Sequence, residues 1–247
     1  MSSIKEKQQE YQALVNSFKK QQFSDPQLLN PFSIEGVKYD YKILNPWNLW
    51  HGNLNAEILL IGQDWGDLTA FKKIFTKDGW VPEKKNPTNE KLKELFSCIG
   101  YNIGAPDSFA SLEYRYLPLF FTNAILGIKR HKEIEEKPVS AMSIKNDWFD
   151  EMGIYLIGLI SIIEPKAIIV MGDPAYKLLQ ITYDYLPKFK YAGEAIDNNG
   201  KYPPINGSKV FRVAHCSALG LANRSMEKQR QDWKRINDLM VSNPFNK

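Results

Sequence analysis

Four short, strongly apolar runs stand out along the chain. They are 57–62 (EILLIG), 118–124 (PLFFTNA), 166–172 (KAIIVMG) and 209–214 (KVFRVA). Each run is rich in Ile, Val, Leu or Phe, and apolar and polar residues hardly alternate within it. That pattern is typical of strands that are buried on both faces, as in a parallel sheet. The sequence therefore predicts a buried, mainly parallel sheet of four strands.

Segments with helical spacing of apolar residues lie between these runs. They cover about 88–99, 142–163 and 174–181, and a last helix is expected over 223–241 with Asn223 as the candidate N-cap. Strands that alternate with helices require right-handed crossovers, which place helices on the faces of the sheet. We therefore predict an α/β fold, a three-layer sandwich with a central, mainly parallel four-stranded sheet.

The regions outside this core have their own patterns. Residues 3–22 predict an amphipathic helix, and 24–56, with prolines spaced between aromatic residues, predicts a packed, irregular segment. The Gly- and Pro-rich stretch 182–208 predicts a long loop with room for a hairpin. Because no linker divides the chain, we predict a single domain over 1–247, with 1–56 as its N-terminal helical and irregular lead-in.

Composition narrows the classes of protein. Of the 247 residues, 43% are hydrophobic, which is enough for one large domain core. The net charge of +4 suits a nucleic-acid partner as well as an ordinary solvated surface. The two cysteines, Cys98 and Cys216, are too few for a zinc ribbon or a four-cysteine iron–sulfur cluster within one chain. Their sparse use favours a reducing compartment.

Membrane and metal partners are not indicated by the sequence. The most apolar stretch, 154–163, is about half as long as the ~20 residues that span a bilayer, and the N-terminus is too polar for a secretory signal. His51 and His131 have no histidine partner one helical turn away, so surface or packing roles are expected for them. The expectation is a soluble, cytoplasmic monomer without a cofactor, metal or iron–sulfur cluster.

Polar residues follow or end three of the four predicted strands. QDWGD (63–67) follows the first strand, TNA (122–124) ends the second, and HCS (215–217) follows the fourth. Ligands of open α/β sheets bind outside the carboxyl ends of the strands. We therefore expect a carboxylate, an amide and an imidazole to converge on one edge of the sheet.

These three segments resemble the motifs of a known family. LLIGQDWGD (59–67) resembles the first motif of uracil-DNA glycosylases, whose common form is G-Q-D-P-Y-H, and LFFTNAILG (119–127) resembles the strand whose asparagine reads the base. RVAHCSALG (212–220) resembles the second catalytic motif, H-P-S-P-L-S. Taken in order, the motifs give the chain a resemblance to the uracil-DNA glycosylase superfamily over roughly residues 57–222.

The resemblance implies a monofunctional DNA glycosylase that hydrolyses the N-glycosidic bond of a flipped-out uracil or modified pyrimidine. Asp64 would stabilise an oxocarbenium-like sugar and position a water. His215 would donate a hydrogen bond to the base O2, where negative charge develops. Asn123, with one donor and one acceptor side, matches the Watson–Crick edge of a pyrimidine, and Gln63 would add a contact to the base.

The same resemblance implies contacts to the DNA. Ser217 lies in a short loop before a helix and suits a phosphate. Leu219 matches the apolar wedge that fills the gap left by the flipped base. Lys129 and Arg130 belong to a basic cluster after the second strand, for which phosphate contact and a plain solvated surface are both open, and Arg224 is a further candidate cation.

The motifs also depart from the family form. Trp65, Gly66 and Asp67 replace Pro, Tyr and His of the first motif, and Cys216 and Ala218 replace both prolines of the second. In uracil-specific enzymes that tyrosine packs where a 5-methyl group would sit. Glycine there leaves space, so we expect a pyrimidine with a 5-substituent to fit, with plain uracil as the conventional alternative. No motif places the aromatic ring that stacks on the base, and the candidates are Phe75, Trp65 and Trp80.

Structural roles are open for the same residues. Asp64 could cap a helix that begins near Asp67. Asn123 could satisfy loop backbone groups, and His215 could be a hydrogen-bonded structural group. Leu219 could be an ordinary core leucine. Position in the fold decides between these roles and the catalytic ones.

Two other functions stay open at this point. The altered motif residues fit a catalytically silent nucleic-acid-binding protein on the same fold. A nucleotide-handling α/β protein outside the family would be favoured if Asp64, Asn123 and His215 did not share a pocket. For an active glycosylase, DNA repair and defence against foreign (phage) DNA with modified bases are both compatible with the sequence.

Overall fold

The computed structural model describes residues 2–39, 42–81, 86–106, 116–130 and 145–241; His131 lies outside these ranges. In chain order the helices are α1 (Ile4–Lys19), α2 (Leu68–Ile74), α3 (Pro87–Ser97), α4 (Asn146–Ile163), α5 (Asp173–Thr182), α6 (Ala192–Asp197), α7 (Ala218–Asn223) and α8 (Met226–Val241). The strands are β1 (Leu28–Leu29), β2 (Ile58–Asp64), β3 (Phe75–Thr76), β4 (Gly79–Trp80), β5 (Leu119–Ile125), β6 (Ile128–Lys129), β7 (Ala167–Met171) and β8 (Lys209–Val213).

The four apolar runs form one parallel sheet in the order β5-β2-β7-β8. The predicted four-stranded parallel core is therefore confirmed. Strands β2 and β7 are central, and the side chains of Leu59, Leu60 and Ile61 have no exposed surface. The register pairs Gly62 with Asn123 on neighbouring strands. Both polar strand ends thus reach the same edge.

Helices cover both faces of this sheet. On one face, α1, α4 and α5 pack through a cluster that includes Phe18, Trp148 and Tyr176. On the other face, α3 and α8 pack through Phe96 and Trp233, whose rings meet edge to face. Each large apolar side chain buried in this way contributes about 1.5–3 kcal/mol. The result is an α/β fold with helices on both sides of the sheet, as expected of a three-layer sandwich.

The C-terminal helix begins later than the sequence predicts. Asn223 is the last residue of α7, and α8 begins at Met226 after Ser225, whose hydroxyl accepts a hydrogen bond from the Lys228 N–H at 3.4 Å. The expectation of Asn223 as N-cap is therefore wrong, because a separate short helix ends there. Residues 182–208 contain α6 and an isolated antiparallel bridge between Ile205 and Ser208 rather than an uninterrupted loop.

The lead-in packs against the sheet domain. Helix α1 begins with a capping box in which Ser3 and Glu6 exchange hydrogen bonds. The irregular part contains 3-10 turns at Pro31–Ser33 and Pro46–Leu49, and the second turn carries Trp47 to the edge of the sheet. No helix in the described part of the chain is both long and apolar enough to cross a membrane.

Candidate active site

Asp64, Asn123 and His215 all lie at the carboxyl edge of the parallel sheet. Asp64 is the last residue of β2, Asn123 lies near the end of the neighbouring strand β5, and His215 follows β8 by two residues. The charge of Asp64 acts on His215 across β7 and opposes the lowering of the His215 pKa. The edge therefore brings the predicted carboxylate, amide and imidazole into one region.

Asp64 is held by three hydrogen-bond donors. Its Oδ1 accepts from the Gly66 N–H at 2.7 Å and lies 3.2 Å from the Lys129 ammonium. Its Oδ2 accepts from the Gln63 side-chain amide at 2.8 Å. Gln63, predicted to contact the base, thus orients Asp64. The side chain of Asp64 is only 8% exposed.

The helix-cap role considered for Asp64 belongs to Asp67. The Asp67 carboxylate accepts from the Ala70 N–H at 2.7 Å and caps α2. Because Asp67 satisfies the first turn of that helix, Asp64 is left for another role.

Lys129 does not lie on an exposed basic rim, so neither a phosphate contact nor a plain solvated surface, the two roles left open for it, fits its position. Its side chain is 4% exposed and pairs with Asp64. Side chains alternate between the two sides of an extended segment, so Lys129 points inward and Arg130 outward into solvent. The Arg224 guanidinium is likewise occupied, since it pairs with the Asp232 carboxylate. Of the three cations considered, Arg130 is the exposed one.

Asn123 is buried with an unpaired amide. It is 3% exposed, and neither its Oδ1 nor its Nδ2 has a hydrogen-bond partner within the described ranges. Buried polar groups are nearly always paired, and an unpaired one costs roughly 1–3 kcal/mol. Asn123 therefore does not hydrogen-bond to backbone groups of a loop, which was the structural role open for it. An empty donor and acceptor side by side suit a polar ligand edge.

Gly62 makes room for this amide. Asn123 and Gly62 follow Phe121 and Leu60 by two residues, so both face the side of the sheet that carries α3 and α8. A Cβ atom on Gly62 would lie 2.5 Å from Asn123 Oδ1 and 2.6 Å from Cζ3 of Trp47. The amide and the indole therefore meet over the bare backbone of β2.

His215 presents one ring nitrogen to its own loop. Its Nδ1 accepts a hydrogen bond from the Ser217 N–H at 3.0 Å. With Nδ1 as acceptor, the neutral imidazole carries its proton on Nε2. Burial lowers the pKa of His215, and the Asp64 charge acts in the opposite direction. The ring is therefore a neutral hydrogen-bond donor near pH 7.

The neighbouring Cys216 is an inert thiol. It is fully buried, and its Sγ lies 3.6 Å from the carbonyl oxygen of Thr88. Burial raises the pKa of this thiol to about 12, so almost no thiolate forms near neutral pH. The thiol therefore packs against its neighbours and is not a nucleophile.

The second motif continues into a short exposed helix. The Ser217 hydroxyl caps α7 by accepting from the Gly220 N–H at 3.4 Å. Gly220 lies directly against the carbonyl of His215 and leaves no room for a side chain. Leu219, on the first turn of α7, is 74% exposed, so it is not the core leucine that was considered.

Next to these residues lies a pocket walled by four indole rings, here called the tryptophan pocket. Its tryptophans are Trp47, Trp50, Trp65 and Trp80. The pocket is narrow and partly open to solvent, and Asn89 adds a polar group. Asp64, Asn123 and His215 do not line this pocket themselves, so it is not the shared pocket that would argue against a nucleotide-handling α/β protein outside the family. It adjoins Asp64 and Asn123, because Trp65 follows Asp64 in sequence and Trp47 abuts Gly62 beside Asn123.

Of the three candidate stacking rings, two line the pocket and one does not. Phe75 is fully buried and stacks on Phe71 with ring centroids 4.7 Å apart, while Tyr39 covers it edge-on at 4.9 Å. Phe75 is therefore a core residue and not the base-stacking ring, because its faces are used in packing. Trp65 and Trp80 both line the pocket.

Sequence reasoning missed Trp47, Trp50 and Asn89. The available signal was the aromatic, proline-rich composition of the lead-in, which marked a packed segment without showing where it packs. The indole N–H of Trp65, by contrast, belongs to a predicted residue, and it is buried with no hydrogen-bond partner among the residues described. It is a second unused polar group in the region that follows Asp64.

Gly66 has a backbone conformation that favours glycine. Its φ of +107° lies in a region that other residues rarely adopt. A Cβ atom there would contact only the Cβ of Ala70, at 3.7 Å. The space expected beside Gly66 is thus present, and the turn itself also requires glycine.

Comparison with known proteins assigns no family to the chain. No protein-family model matches the sequence, and no curated protein matches it either. The chemistry of the site is therefore inferred from its own side chains and their geometry.

Proposed function

We propose that this protein is a DNA glycosylase that hydrolyses the N-glycosidic bond of a flipped-out pyrimidine, either uracil or a base substituted at C5. The observation that carries the proposal is the buried, unpaired amide of Asn123, which lies at the same sheet edge as Asp64 and His215. An enzyme that acts on a base within DNA must extrude it and read its hydrogen-bonding edge in a pocket. An empty amide in a water-poor site supplies such a reader.

Asp64 stabilises the sugar as the bond breaks. The electron pair of the glycosidic bond leaves with the base, and positive charge develops at C1′. A carboxylate has about four lone-pair positions, and Gly66, Gln63 and Lys129 occupy three of them. The remaining position accepts a hydrogen bond from a water, whose oxygen joins C1′. The water gives up one proton, and the departing base gains one, which balances the hydrolysis.

His215 stabilises the leaving base. Its neutral ring donates from Nε2, because Nδ1 already accepts from Ser217. A donor aimed at O2 of the pyrimidine becomes stronger as that oxygen gains negative charge. Protonation of His215 would place a hydrogen on Nδ1 and remove the contact to Ser217, so the neutral form is the active one.

Base choice follows from the walls around Asn123. The amide pairs with the Watson–Crick edge of the base. The proposed pose directs C5 toward the space beside Gly66 and Ala70, and the tryptophan pocket would supply rings for stacking. Size exclusion at C5 is then weak, so 5-substituted pyrimidines are accepted.

DNA contacts come from the exposed groups near the site. Leu219 projects from α7 and fits the gap that an extruded base leaves in the duplex. Arg130, directly after β6, is exposed and suits a phosphate. The Ser217 loop lies between His215 and Leu219, where the phosphate of the flipped nucleotide would pass.

A glycosylase screen tests the proposal. Oligonucleotides carrying uracil, thymine mismatches or bulky 5-modified pyrimidines are incubated with the protein, and abasic sites are revealed by alkaline strand cleavage. Cleavage that depends on Asp64 and is lost in Asn123→Leu supports the proposal, because that variant keeps the side-chain size but removes the amide. DNA binding without excision of any base would instead favour a silent nucleic-acid-binding protein on the same fold.

A further inference from the structure

Lys129 and Asp64 form an ion pair that is nearly closed to solvent. The Lys129 Nζ lies 3.2 Å from Asp64 Oδ1, and the two side chains are 4% and 8% exposed. The free energy lost by removing two charges from water offsets most of the free energy gained from their attraction. Such a buried pair therefore adds little to the stability of the fold. The ion pair includes Asp64, the carboxylate proposed to act in catalysis, and this location indicates a functional role.

The backbone fixes where this lysine sits. Lys129 pairs with Leu28 of β1 in antiparallel register and also forms a parallel bridge with Asp67. Its N–H donates to the Gly66 carbonyl at 3.4 Å, while the Gly66 N–H donates to Asp64 Oδ1 at 2.7 Å. The loop that carries Asp64 is thus tied to the same segment that supplies the ammonium.

We propose that Lys129 is a positioning residue, which holds the Asp64 carboxylate in orientation and compensates its charge. The catalytic part of this role rests on the proposed glycosylase function. The ammonium, the Gly66 N–H and the Gln63 amide fix the carboxylate from three directions. They leave one lone-pair position of Asp64 for the water.

We expect Lys129 also to favour the neutral form of His215, because its ammonium lies against the carboxylate whose charge acts on that ring. The titratable groups around Asp64 in the described part of the chain are Lys129 from β6, His215 from the loop after β8, and Asp67 at the start of α2. The Asp64 charge favours protonation of His215, and the ammonium offsets that charge. Removing the ammonium therefore raises the pKa of His215 and weakens the neutral donor.

An NMR titration of the imidazoles tests this without any substrate. Replacing Lys129 by Met should raise the pKa of His215 by about one pH unit, since an uncompensated carboxylate faces the ring. The matched control is Arg130→Met, which removes the adjacent exposed cation and should leave the His215 titration unchanged. Lys129→Arg, which keeps the charge, should restore the wild-type titration.

A double-mutant cycle measures the coupling between the two residues. At neutral pH, Lys129→Met should increase the unfolding equilibrium constant, and the increase should be about tenfold larger in the wild-type background than in the Asp64→Asn background. Only in the wild-type background does the substitution leave a buried carboxylate without its partner. If Lys129→Met alone does not fold, refolding of the Lys129→Met/Asp64→Asn double variant shows the same coupling. Equal effects in both backgrounds would overturn the proposal.

Activity then links the pair to catalysis. On the substrate found by the oligonucleotide screen, Lys129→Met should lower kcat about tenfold or more and move the acidic limb of the pH–rate profile to higher pH. DNA affinity and its salt dependence should stay as in the wild type. A reduced salt dependence, as expected for Arg130→Met, would make Lys129 a phosphate contact instead.

Failure of this inference is distinguishable from failure of the proposed function. If the screen yields no substrate, the glycosylase proposal fails, while the imidazole titration and the double-mutant cycle still decide whether Lys129 positions Asp64. If the enzyme is active and borohydride traps Lys129 covalently on DNA, the lysine is a nucleophile and the positioning role is overturned.

Discussion

Gly62 and Asn123 are directly paired in neighbouring parallel strands, and the missing side chain of Gly62 leaves the space that the Asn123 amide fills. A Cβ atom on Gly62 would come within 2.5 Å of Asn123 Oδ1. The position of the proposed base-reading group thus depends on a glycine one strand away. This relationship gives a test of the site that leaves every proposed reacting side chain in place.

Gly62→Ala should lower kcat/KM strongly, on the order of 100-fold. The added methyl group displaces the Asn123 amide, and a displacement of about 1 Å is enough for a loss of that size. The measurement is steady-state excision on the best oligonucleotide. Gly193→Ala is the matched control, because no atom lies within 4 Å of its Cβ position. Unchanged activity in Gly62→Ala would remove Asn123 from the reading of the base.

Asp64→Asn and His215→Ala should each reduce the single-turnover rate by about 100-fold or more. In the proposed mechanism both groups act mainly on charge that develops in the transition state, so DNA affinity should remain close to that of the wild type. Rapid-quench excision and fluorescence anisotropy separate the two effects. Wild-type turnover in either variant would show that the assigned role is wrong.

Leu219→Ala should impair excision from duplex DNA and have little effect on single-stranded DNA. Leu219 is 74% exposed on α7, and a duplex presents a gap that an apolar side chain can fill, whereas a single strand does not. The ratio of excision rates on the two substrates is the measurement. Ile154→Ala removes a comparably exposed side chain from the outer face of α4 and serves as control. A ratio that stays at the wild-type value would rule out a wedge.

Ala70→Leu should reduce activity on 5-substituted pyrimidines more than activity on uracil. A larger side chain at position 70 fills the space beside Gly66, and the size of an apolar pocket discriminates by about 1–3 kcal/mol for one methyl group. Direct replacement of Gly66 by Tyr is a poorer test because its φ of +107° strains any side chain. The exposed neighbour Thr69→Leu is the control. Equal losses on both bases would refute the open space at C5.

The unfolding free energy should fall as the pH decreases from about 6.5 to about 4. Burial lowers the pKa of His51 from 6.5 to about 4, so the unfolded chain binds a proton in this window that the folded protein does not. The loss from this residue amounts to up to about 3 kcal/mol, and His215, whose pKa is also lowered, adds in the same direction. Urea unfolding across this range should show a shallower dependence in His51→Gln. An unchanged slope in that variant would contradict the buried neutral state of His51.

The strand pattern was accessible from the sequence for a simple reason. Strands buried on both faces are apolar along their whole length, so each run identified a strand without knowledge of its neighbours. The order of the strands along the edge was not accessible, but the carboxyl ends of parallel strands meet at one edge whatever their order. The sequence alone therefore predicts that Asp64, Asn123 and His215 lie at one edge of the sheet.

Burial decided what the sequence left open. Lys129 and Arg130 are adjacent cations with similar charge. The pairing of β6 with β1 and the bridge to Asp67 determine that the first points toward Asp64 and the second toward solvent. Phe75 and Trp65 are both aromatic residues close to the first motif. Packing on Phe71 and Tyr39 places the first in the core, while the second lines the pocket.

The sequence by itself determined the parallel sheet, the edge where chemistry is expected and the residue types that lie there, because these follow from local patterns of side chains. Only the tertiary structure shows that Trp47 of the lead-in lies near Asn123 and that the absent side chain of Gly62 leaves space for both. Only the tertiary structure shows that the Lys129 ammonium pairs with Asp64. Such contacts join residues far apart in the chain. Their geometry depends on how whole elements pack, which no local pattern encodes.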